Sequence, residues 1–272
     1  MIFEAKIPDP PLDQFIETLI YHQDVNPSHA IDRFLPDGNT EIIIDLSGTP
    51  KHIYDNETLD EIQVCKNAWA SGVRTEPISI PSGKDSAMIV ILFKKGMAYP
   101  FFPVPMNEMS DCVIDTDLLW GKAFENLRET LLGEPDIFGR FAITEKFLID
   151  RYRAKLDVNE CVKYAISQIT ASPDQVSLGR LYDKIGYSQK HFTEMFKLRV
   201  GVTPKSYAKI LRFQKAISEV ETIGEINWSF IAADCGFYDQ AHFINDFKCF
   251  SGFTPEDYLK RKNGVLNYVP VS

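Results

Sequence analysis

The segment Gln189-Lys-His-Phe-Thr-Glu-Met-Phe-Lys197 recurs 51 residues later as Gln240-Ala-His-Phe-Ile-Asn-Asp-Phe-Lys248. Between residues 188–209 and 239–260, ten of the 22 aligned positions are identical, among them a Gly and a Thr-Pro pair that follow each segment. Two copies are too few for a solenoid, which needs several stacked units. The pattern therefore indicates one supersecondary unit that is used twice.

Each copy carries the signals of a helix, a glycine turn and a second helix. In the first copy Ser177 is a good N-cap for a helix over 178–185, and Gly186 suits a turn that needs positive φ. Ser188 then caps a second helix over about 189–199, whose phenylalanines recur at helical spacing. These signals predict two short helices joined by a tight turn.

The second copy repeats the same signals, with caps at Asn227 and Asp239, a turn at Gly236 and a second helix over about 240–250. A helix, a short turn and a second helix form a helix-turn-helix unit, whose second helix enters a DNA major groove. Between the copies, residues 204–220 contain no helix breaker. They predict a rod of roughly 25 Å, which can hold the two second helices about one DNA turn (~34 Å) apart.

Charge is unevenly distributed along the 272-residue chain, whose net charge is −9. Residues 1–150 carry 12 Lys and Arg against 25 Asp and Glu, whereas residues 151–272 carry 17 against 13. Such asymmetry suggests that only the second part meets a polyanion, although two solvated surfaces of different charge would look the same.

Several classes of protein are excluded by composition. No apolar run reaches the roughly 18 residues that a membrane helix needs, and the N-terminus lacks the features of a signal peptide. Five scattered cysteines without a Cys-x-x-Cys pair exclude a disulfide framework and a structural zinc site. We therefore expect a cytoplasmic protein with no membrane partner.

The N-terminal part alternates short β-rich runs with turn signals as far as residue 115, which predicts a small β-barrel or sandwich. Helices are predicted at roughly 116–132, 142–155 and 158–171, and residues 171–175 form the expected linker. The clearest strand candidates are the runs at about 41–46, 62–65, 68–73, 77–80 and 87–93.

Residues 160–262 resemble the AraC/XylS family of bacterial transcription regulators. The most specific motif is Gly236-Phe-x-Asp-Gln-x-His-Phe243, followed by Thr254-Pro255, and the first copy adds Gly201-x-Thr-Pro204. Looser matches to the sensor half of one subgroup are Arg33-Phe-Leu-Pro-Asp-Gly38, Glu41-Ile-Ile-Ile-Asp45 and Leu119-Trp-Gly121.

The resemblance implies an α+β chain in which a β-rich, cupin-like sensor domain and its helices precede an all-α domain with two helix-turn-helix units. The expected parts are a sensor or dimerisation domain (1–155), a connecting helix (156–170), a DNA-binding domain (176–263) and a tail (264–272). The implied function is sequence-specific, effector-responsive regulation of transcription, with two recognition helices reading two adjacent major grooves. Implied partners are double-stranded operator or promoter DNA and a small-molecule effector, with RNA polymerase and a second copy of the chain as further candidates; no cofactor is implied.

The resemblance places the DNA-contacting residues on the two recognition helices. Gln240 can bond adenine through two hydrogen bonds and Lys190 can reach guanine, whereas Ser188 and Lys197 suit phosphate contacts. Many family members carry Arg where this chain has Glu194 and Asn245. The complete candidate set is Ser188, Gln189, Lys190, Thr193, Glu194 and Lys197 on the first helix, and Asp239, Gln240, Ala241, His242, Asn245 and Lys248 on the second.

The effector site is expected in the β-rich part. Trp69, Phe93 and Tyr99 are candidate lining residues, with ordinary core packing as the alternative. Arg74 is a candidate partner for an anionic effector, with a surface salt bridge as the alternative. His52 is the single histidine expected in the β region, which argues against a metal site of the cupin type.

No catalytic motif accompanies these features, so the chain is expected not to be an enzyme. Two alternative functions remain open. One is a protein-interaction module whose helical repeat no longer binds DNA, an interpretation that the acidic Glu194 and Asp246 favour. The other is an enzyme of the N-terminal β domain that is tethered to DNA.

Overall fold

The protein is known here from a computed structural model that describes residues 2–24, 27–83, 85–222 and 227–271. Its strands are β1 Ile2–Lys6, β2 Ile16–Gln23, β3 Ile31–Phe34, β4 Glu41–Asp45, β5 Lys51–Tyr54, β6 Glu61–Cys65, β7 Ala68–Ser71, β8 Ile78–Pro81, β9 Ala87–Phe93, β10 Val113–Asp115 and β11 Tyr268–Pro270. Its α-helices are α1 Thr116–Trp120, α2 Ala123–Leu132, α3 Ile137–Tyr152, α4 Glu160–Ala171, α5 Leu178–Ile185, α6 Gln189–Val200, α7 Pro204–Thr222, α8 Trp228–Asp234, α9 Gln240–Ser251 and α10 Pro255–Arg261. The predicted α+β class, with a β-rich N-terminal domain and a helical C-terminal domain, is confirmed.

Two antiparallel sheets form the N-terminal domain. The larger sheet has the order β1-β2-β9-β4-β7-β10, and the smaller sheet has the order β11-β3-β8-β5-β6. In the centre of the larger sheet, Ile42 and Ile44 of β4 turn toward the main core, whereas Ile43 faces the smaller sheet. The sheet is covered on both faces, which explains why β4 and β9 read as nearly continuous apolar runs.

The helices that follow differ from the predicted ones at two positions. A single helix was expected over 116–132, but Gly121 (φ 59°, ψ −143°) separates α1 from α2. Glycine permits this conformation because it has no Cβ. The helix expected over 142–155 begins earlier, at Ile137, because the Asp136 side chain accepts a hydrogen bond from the Gly139 N–H at 2.7 Å and caps the helix there.

The C-terminal domain has the predicted pair of helix-turn-helix units, α5–α6 and α8–α9, joined by α7. Each predicted N-cap accepts a backbone hydrogen bond, from 2.7 Å at Asp239 to 3.5 Å at Ser177. Residues 223–226, between α7 and α8, lie outside the described residues. None of the helices in the described ranges has the length and apolarity that a bilayer crossing requires.

The two domains are packed against each other along α7. The Gln214 Nε2 group donates to the Pro36 carbonyl at 2.7 Å, and the fully buried Tyr207 ring lies against Gly38, where an added Cβ would be 3.3 Å from it. Near the end of α6, the Ser110 hydroxyl donates to the Gly201 carbonyl at 2.7 Å. The Arg33–Gly38 motif therefore forms part of the contact between domains.

The end of the chain returns to the N-terminal domain. Residues 264–272 were expected to be a tail, but Tyr268–Pro270 form β11, which pairs antiparallel with β3 at the edge of the smaller sheet. Val269 is 1% exposed, and the Leu35 N–H donates to the Asn267 carbonyl at 3.0 Å. Ser272 lies outside the described residues, and the domain boundaries themselves remain a prediction.

Candidate nucleic-acid interface and effector cavity

Each recognition helix buries one face and exposes the other. Phe192 and Phe196 of α6 are fully buried, and Phe243 and Phe247 of α9 are equally inaccessible. This aromatic stripe fixes the rotation of each helix about its axis, because the apolar face must turn inward. Nine candidate DNA contacts are exposed as a result: Ser188, Gln189, Lys190, Glu194, Asp239, Gln240, Ala241, Asn245 and Lys248. The other three, Thr193, Lys197 and His242, are half-buried.

The second recognition helix begins with a tethered glutamine. The Ser229 hydroxyl of α8 donates to the Gln240 Oε1 atom at 2.9 Å, which limits the orientations that the amide can adopt. Asp246, the second acid that favoured the alternative without DNA binding, lies 3.2 Å from Lys209 Nζ of α7 and 3.5 Å from His242 Nε2. Its negative charge is therefore directed into the domain, and Glu194 of α6 is the acid that stays on the exposed face.

The turns that precede the recognition helices place one aromatic ring beside each histidine. The His191 ring lies 4.9 Å from the Tyr187 ring, and the His242 ring lies 5.7 Å from the Phe237 ring, measured between centroids. The second turn is one residue longer than the first, and the extra Tyr238 is 92% exposed. Tyr238 is a candidate phosphate contact that the sequence did not predict, although the one-residue change in repeat offset marks it.

The first recognition helix is also in contact with the sensor domain. The Arg199 guanidinium of α6 lies over the Tyr99 ring at 4.9 Å, and the Tyr99 hydroxyl donates to the Asp157 carbonyl. Glycine suits position 96 because its φ of 67° is left-handed, and an added Cβ would also stand 2.1 Å from the end of the Ile166 side chain of α4. The contact between Tyr99 and Arg199 therefore connects the sensor domain directly to α6.

A cavity of about 390 Å³ lies between the two sheets. Ile43, Trp69 and Val90 line it from the larger sheet, and Ile53 and Ile78 line it from the smaller one. Its volume lies in the range of small-molecule sites, which are lined mainly by apolar side chains with a few polar groups. A hollow of about 520 Å³ beside linker residues 170–175 is open to solvent, and the Asp174–Lys215 pair at 3.6 Å lines it. The enclosed cavity is therefore the better small-molecule site.

Polar groups occupy opposite ends of the enclosed cavity. At one end, burial and the neighbouring Asp37 raise the pKa of Glu41 to about 7. At the other end, burial lowers the pKa of Lys51 and also the pKa of His22, which Lys51 lowers further. Glu41 and Asp45 begin and end β4 and are about 13 Å apart at 3.3 Å per residue. His22 lies level with Asp45, because both pair with Met88 of β9.

The C-terminal segment supplies part of the cavity wall. Asn263, Val265 and Tyr268 all line it, and the Tyr268 ring packs against Phe34 of β3 with ring centroids 5.0 Å apart. Burial raises the pKa of the Tyr268 hydroxyl, as does the proximity of carboxylates that include Glu41. The wall of the cavity thus continues directly into α10 of the second helix-turn-helix unit.

The structure brings only Trp69 of the four predicted effector-binding residues to this cavity. Phe93 is fully buried on the opposite face of the larger sheet, 5.1 Å from the Phe101 ring. Tyr99 packs beneath Arg199 as described above. Arg74 donates from Nε to the Glu76 carbonyl at 3.2 Å, away from the cavity lining.

The expectation that His52 is the only histidine of the β region was wrong. His22 lies on β2 and lines the cavity together with His52 and His29. The three imidazoles do not form a metal site, because no suitable cluster of His, Cys, Asp and Glu occurs within the part of the chain that the structure describes. Burial raises the pKa of the Cys65 thiol in the same cavity to about 12, so the thiol stays protonated at neutral pH.

Comparison with known proteins gives two family matches, which together cover both domains. Residues 181–261 match the model of a helix-turn-helix domain, and residues 5–115 match a domain of unknown function (DUF6597). A search of curated proteins found no match.

Solved structures with a similar chain trace include ToxT from Vibrio cholerae, at 14% identity and a TM-score of 0.45, with 95% of this chain and 98% of that chain covered. ToxT with a bound unsaturated fatty acid gives 13% identity and a TM-score of 0.42, over 97% of this chain and 96% of that chain. The xylose-binding transcription activator xylR gives 22% identity and a TM-score of 0.33, over 38% of this chain and 27% of that chain.

Because the identities and TM-scores are this low, the solved structures do not decide the family, and the assignment rests on the sequence match. The matched domain at 181–261 contains both recognition helices and the long helix that joins them. Residues 181–261 therefore form a helix-turn-helix domain of the type found in AraC regulators, and this domain follows a β-rich domain.

Proposed function

We propose that the protein binds a DNA site that spans two adjacent major grooves, with α6 in one groove and α9 in the next, and that a small molecule in the enclosed cavity controls this binding. The observation that carries the proposal is the same pattern of burial on the two helices. Each buries its aromatic stripe and exposes the side chains expected to contact DNA.

Base reading is assigned to the amide and amine side chains at the start of each helix. Gln189 and Lys190 stand in the first turn of α6, and Gln240 stands at the start of α9. Glutamine can make two hydrogen bonds to adenine, and lysine can donate to guanine. Because the Ser229 contact already orients the Gln240 amide, less conformational freedom is lost when it meets a base.

Phosphate contact is assigned to Lys197 and Lys248, which occupy equivalent positions near the ends of the two helices. A lysine that neutralises a phosphate releases a counterion, so binding weakens as salt concentration rises. Loss of such a residue lowers the affinity for all sequences equally, whereas loss of a base-reading residue changes sequence preference.

Control by a small molecule is supported by the position of the cavity. It is enclosed by the two sheets, and its wall includes the C-terminal segment that leaves α10. The sensor domain also contacts α6 through Tyr99 and Arg199. A ligand that changes the packing of the barrel can therefore act on both helix-turn-helix units.

Selection of DNA sites in vitro tests the DNA-binding half of the proposal. We expect Gln240→Ala to change the base preference at one position, with a loss of about 1–3 kcal/mol of discrimination. Lys197→Ala should weaken binding to every site by a similar factor and make binding less sensitive to salt. Identical base preferences for wild type and Gln240→Ala would show that Gln240 does not read bases.

The alternative of an interaction module without DNA binding loses part of its support. It relied on two acids on the recognition helices, and Asp246 is neutralised by Lys209. If no DNA sequence is selected, that alternative regains its support.

For the N-terminal domain we propose binding without catalysis. Conversion of a cavity ligand into a product, detected by chromatography, would refute this.

RNA polymerase and a second copy of the chain remain predicted partners. A cytoplasmic location also remains a prediction, because bacterial DNA lies in the cytoplasm. Sedimentation of the protein with and without its selected DNA site tests self-association. Co-purification of RNA polymerase on the same DNA tests the other contact.

A further inference from the structure

The cavity between the two sheets contains a carboxylate at the start of β4. Glu41 begins β4 between Leu92 of β9 and Ser71 of β7, and it lines the cavity. Within the described residues, its carboxylate has no hydrogen bond and no ion pair. Glu41 is half-buried, so its carboxylate is partly withdrawn from water, and a ligand that supplies a charged donor there gains binding free energy.

The surroundings of Glu41 select the charge of that donor. The charges of Asp32 and Asp37, like that of Glu41, raise the pKa of the Tyr268 hydroxyl. Asp32 already contacts His29 Nε2 at 2.7 Å, and both oxygens of Asp37 accept from Asn39, at 2.8 and 2.9 Å. The two satisfied acids leave Glu41 as the free one in a region of negative potential, which favours a positively charged group.

Aromatic rings line the cavity close to this region. Trp69 lies on β7, two residues before the Ser71 that pairs with Glu41, and Phe34 and Tyr268 face it from the smaller sheet. Aromatic faces attract organic cations through the negative charge of the ring face, most strongly when water is excluded. Carboxylate and aromatic groups in one enclosure are thus complementary to an ammonium group with an apolar body.

We propose that the cavity binds an apolar organic amine in its protonated form, whose ammonium group donates to Glu41 and whose hydrocarbon body lies against Ile43, Trp69 and Tyr268. The inference rests on the proposed function, because it names the chemical class of the effector. The orientation follows from Lys51, which is buried at the other end of the cavity and repels an ammonium group there.

Three probes with the same eight-carbon chain test the inference: octylammonium, octanol and octanoate. Titration calorimetry with the full-length protein at neutral pH should give octylammonium an affinity at least about tenfold higher than the other two, since a hydrogen bond between charged groups is stronger than one between neutral groups. Glu41→Gln should lose this advantage and leave octanol binding unchanged. Glu57→Gln, at an exposed position in the β5–β6 loop, is the matched control and should bind as wild type does.

Different outcomes refute different claims. If octanoate or octanol binds as tightly as octylammonium, or if Glu41→Gln keeps the preference for the amine, the assignment of an amine is wrong while the effector cavity stands. If none of the three probes binds wild type, both the amine and the effector cavity are refuted. DNA-site selection by the same preparation judges the DNA-binding function separately.

Discussion

Glu41 shows how one half-buried carboxyl connects folding to pH. Its pKa is raised to about 7 from the ordinary 4.5, mainly by burial and then by Asp37. Between those two pH values the folded protein holds a proton that the unfolded chain has lost. The stabilising contribution of this proton is complete below about pH 4.5 and disappears as the pH rises through about 7.

We therefore expect Glu41→Gln to stabilise the protein at pH 8, by up to about 3 kcal/mol, and to have little effect near pH 5. The neutral amide removes the charge that is costly to bury, and it resembles the protonated acid. Chemical denaturation of both proteins from pH 5 to pH 8 measures the difference, in which other titrating groups largely cancel. A difference that is independent of pH would contradict the raised pKa.

At the scale of elements, the two helix-turn-helix units share a glycine turn but differ in what surrounds it. Gly186 and Gly236 have positive φ values of 79° and 70°. A Cβ added at Gly186 meets nothing within 4 Å, whereas one added at Gly236 would stand 2.8 Å from the backbone oxygen of Asp174. The linker therefore packs directly on the turn of the second unit but not on that of the first.

These two glycines form a matched pair for mutation. Gly186→Ala should cost about 1–2 kcal/mol of unfolding free energy, from the left-handed backbone conformation alone. Gly236→Ala should cost clearly more, because the Asp174 backbone must also move. Urea denaturation monitored by helical circular dichroism gives both values. Equal losses would mean that the linker does not rest on the second turn.

At the scale of the whole molecule, the first and last parts of the chain complete one another. β11 forms an edge of the smaller sheet, and Val269 lies opposite Arg33 with 1% exposure. The Arg33 guanidinium in turn lies over the Phe253 ring at 4.8 Å, between α9 and α10. The N-terminal domain and the second helix-turn-helix unit are therefore connected at β3 in two ways, through its pairing with β11 and through the contact of its Arg33 with Phe253.

Two valines near the C-terminus test this link. Val269→Ala removes two buried methyl groups and should lower the unfolding free energy of the barrel by about 1–2 kcal/mol. Val265→Ala, at a position that is 56% exposed, should change it by less than about 0.5 kcal/mol. Fluorescence of Trp69 during denaturation, in proteins whose Trp120 and Trp228 are both replaced by Phe, follows the two-sheet domain. If the two variants unfold alike, the C-terminal strand does not contribute to the stability of the barrel.

Much of the C-terminal domain could be predicted from the sequence, because its signals are local. A capping side chain such as Ser188 or Asp239 acts on an N–H three residues away, and a glycine turn depends on its own φ. The duplication made each signal appear twice. The N-terminal strands were harder, since β1 and β5 carry Lys and Glu or His among their apolar residues and show no clear run.

By itself, the sequence determined the tandem helix-turn-helix units, the exposed face of each recognition helix and the β-rich character of the first 115 residues. Only the tertiary structure decided which side chains line the cavity, that β11 pairs with β3, and that Asp246 is neutralised by Lys209. The physical reason is the range of the interactions: caps, turns and apolar stripes act over three or four residues. Strand pairing and ion pairs join residues that are far apart in the sequence, so they form only when the chain folds and brings those residues together.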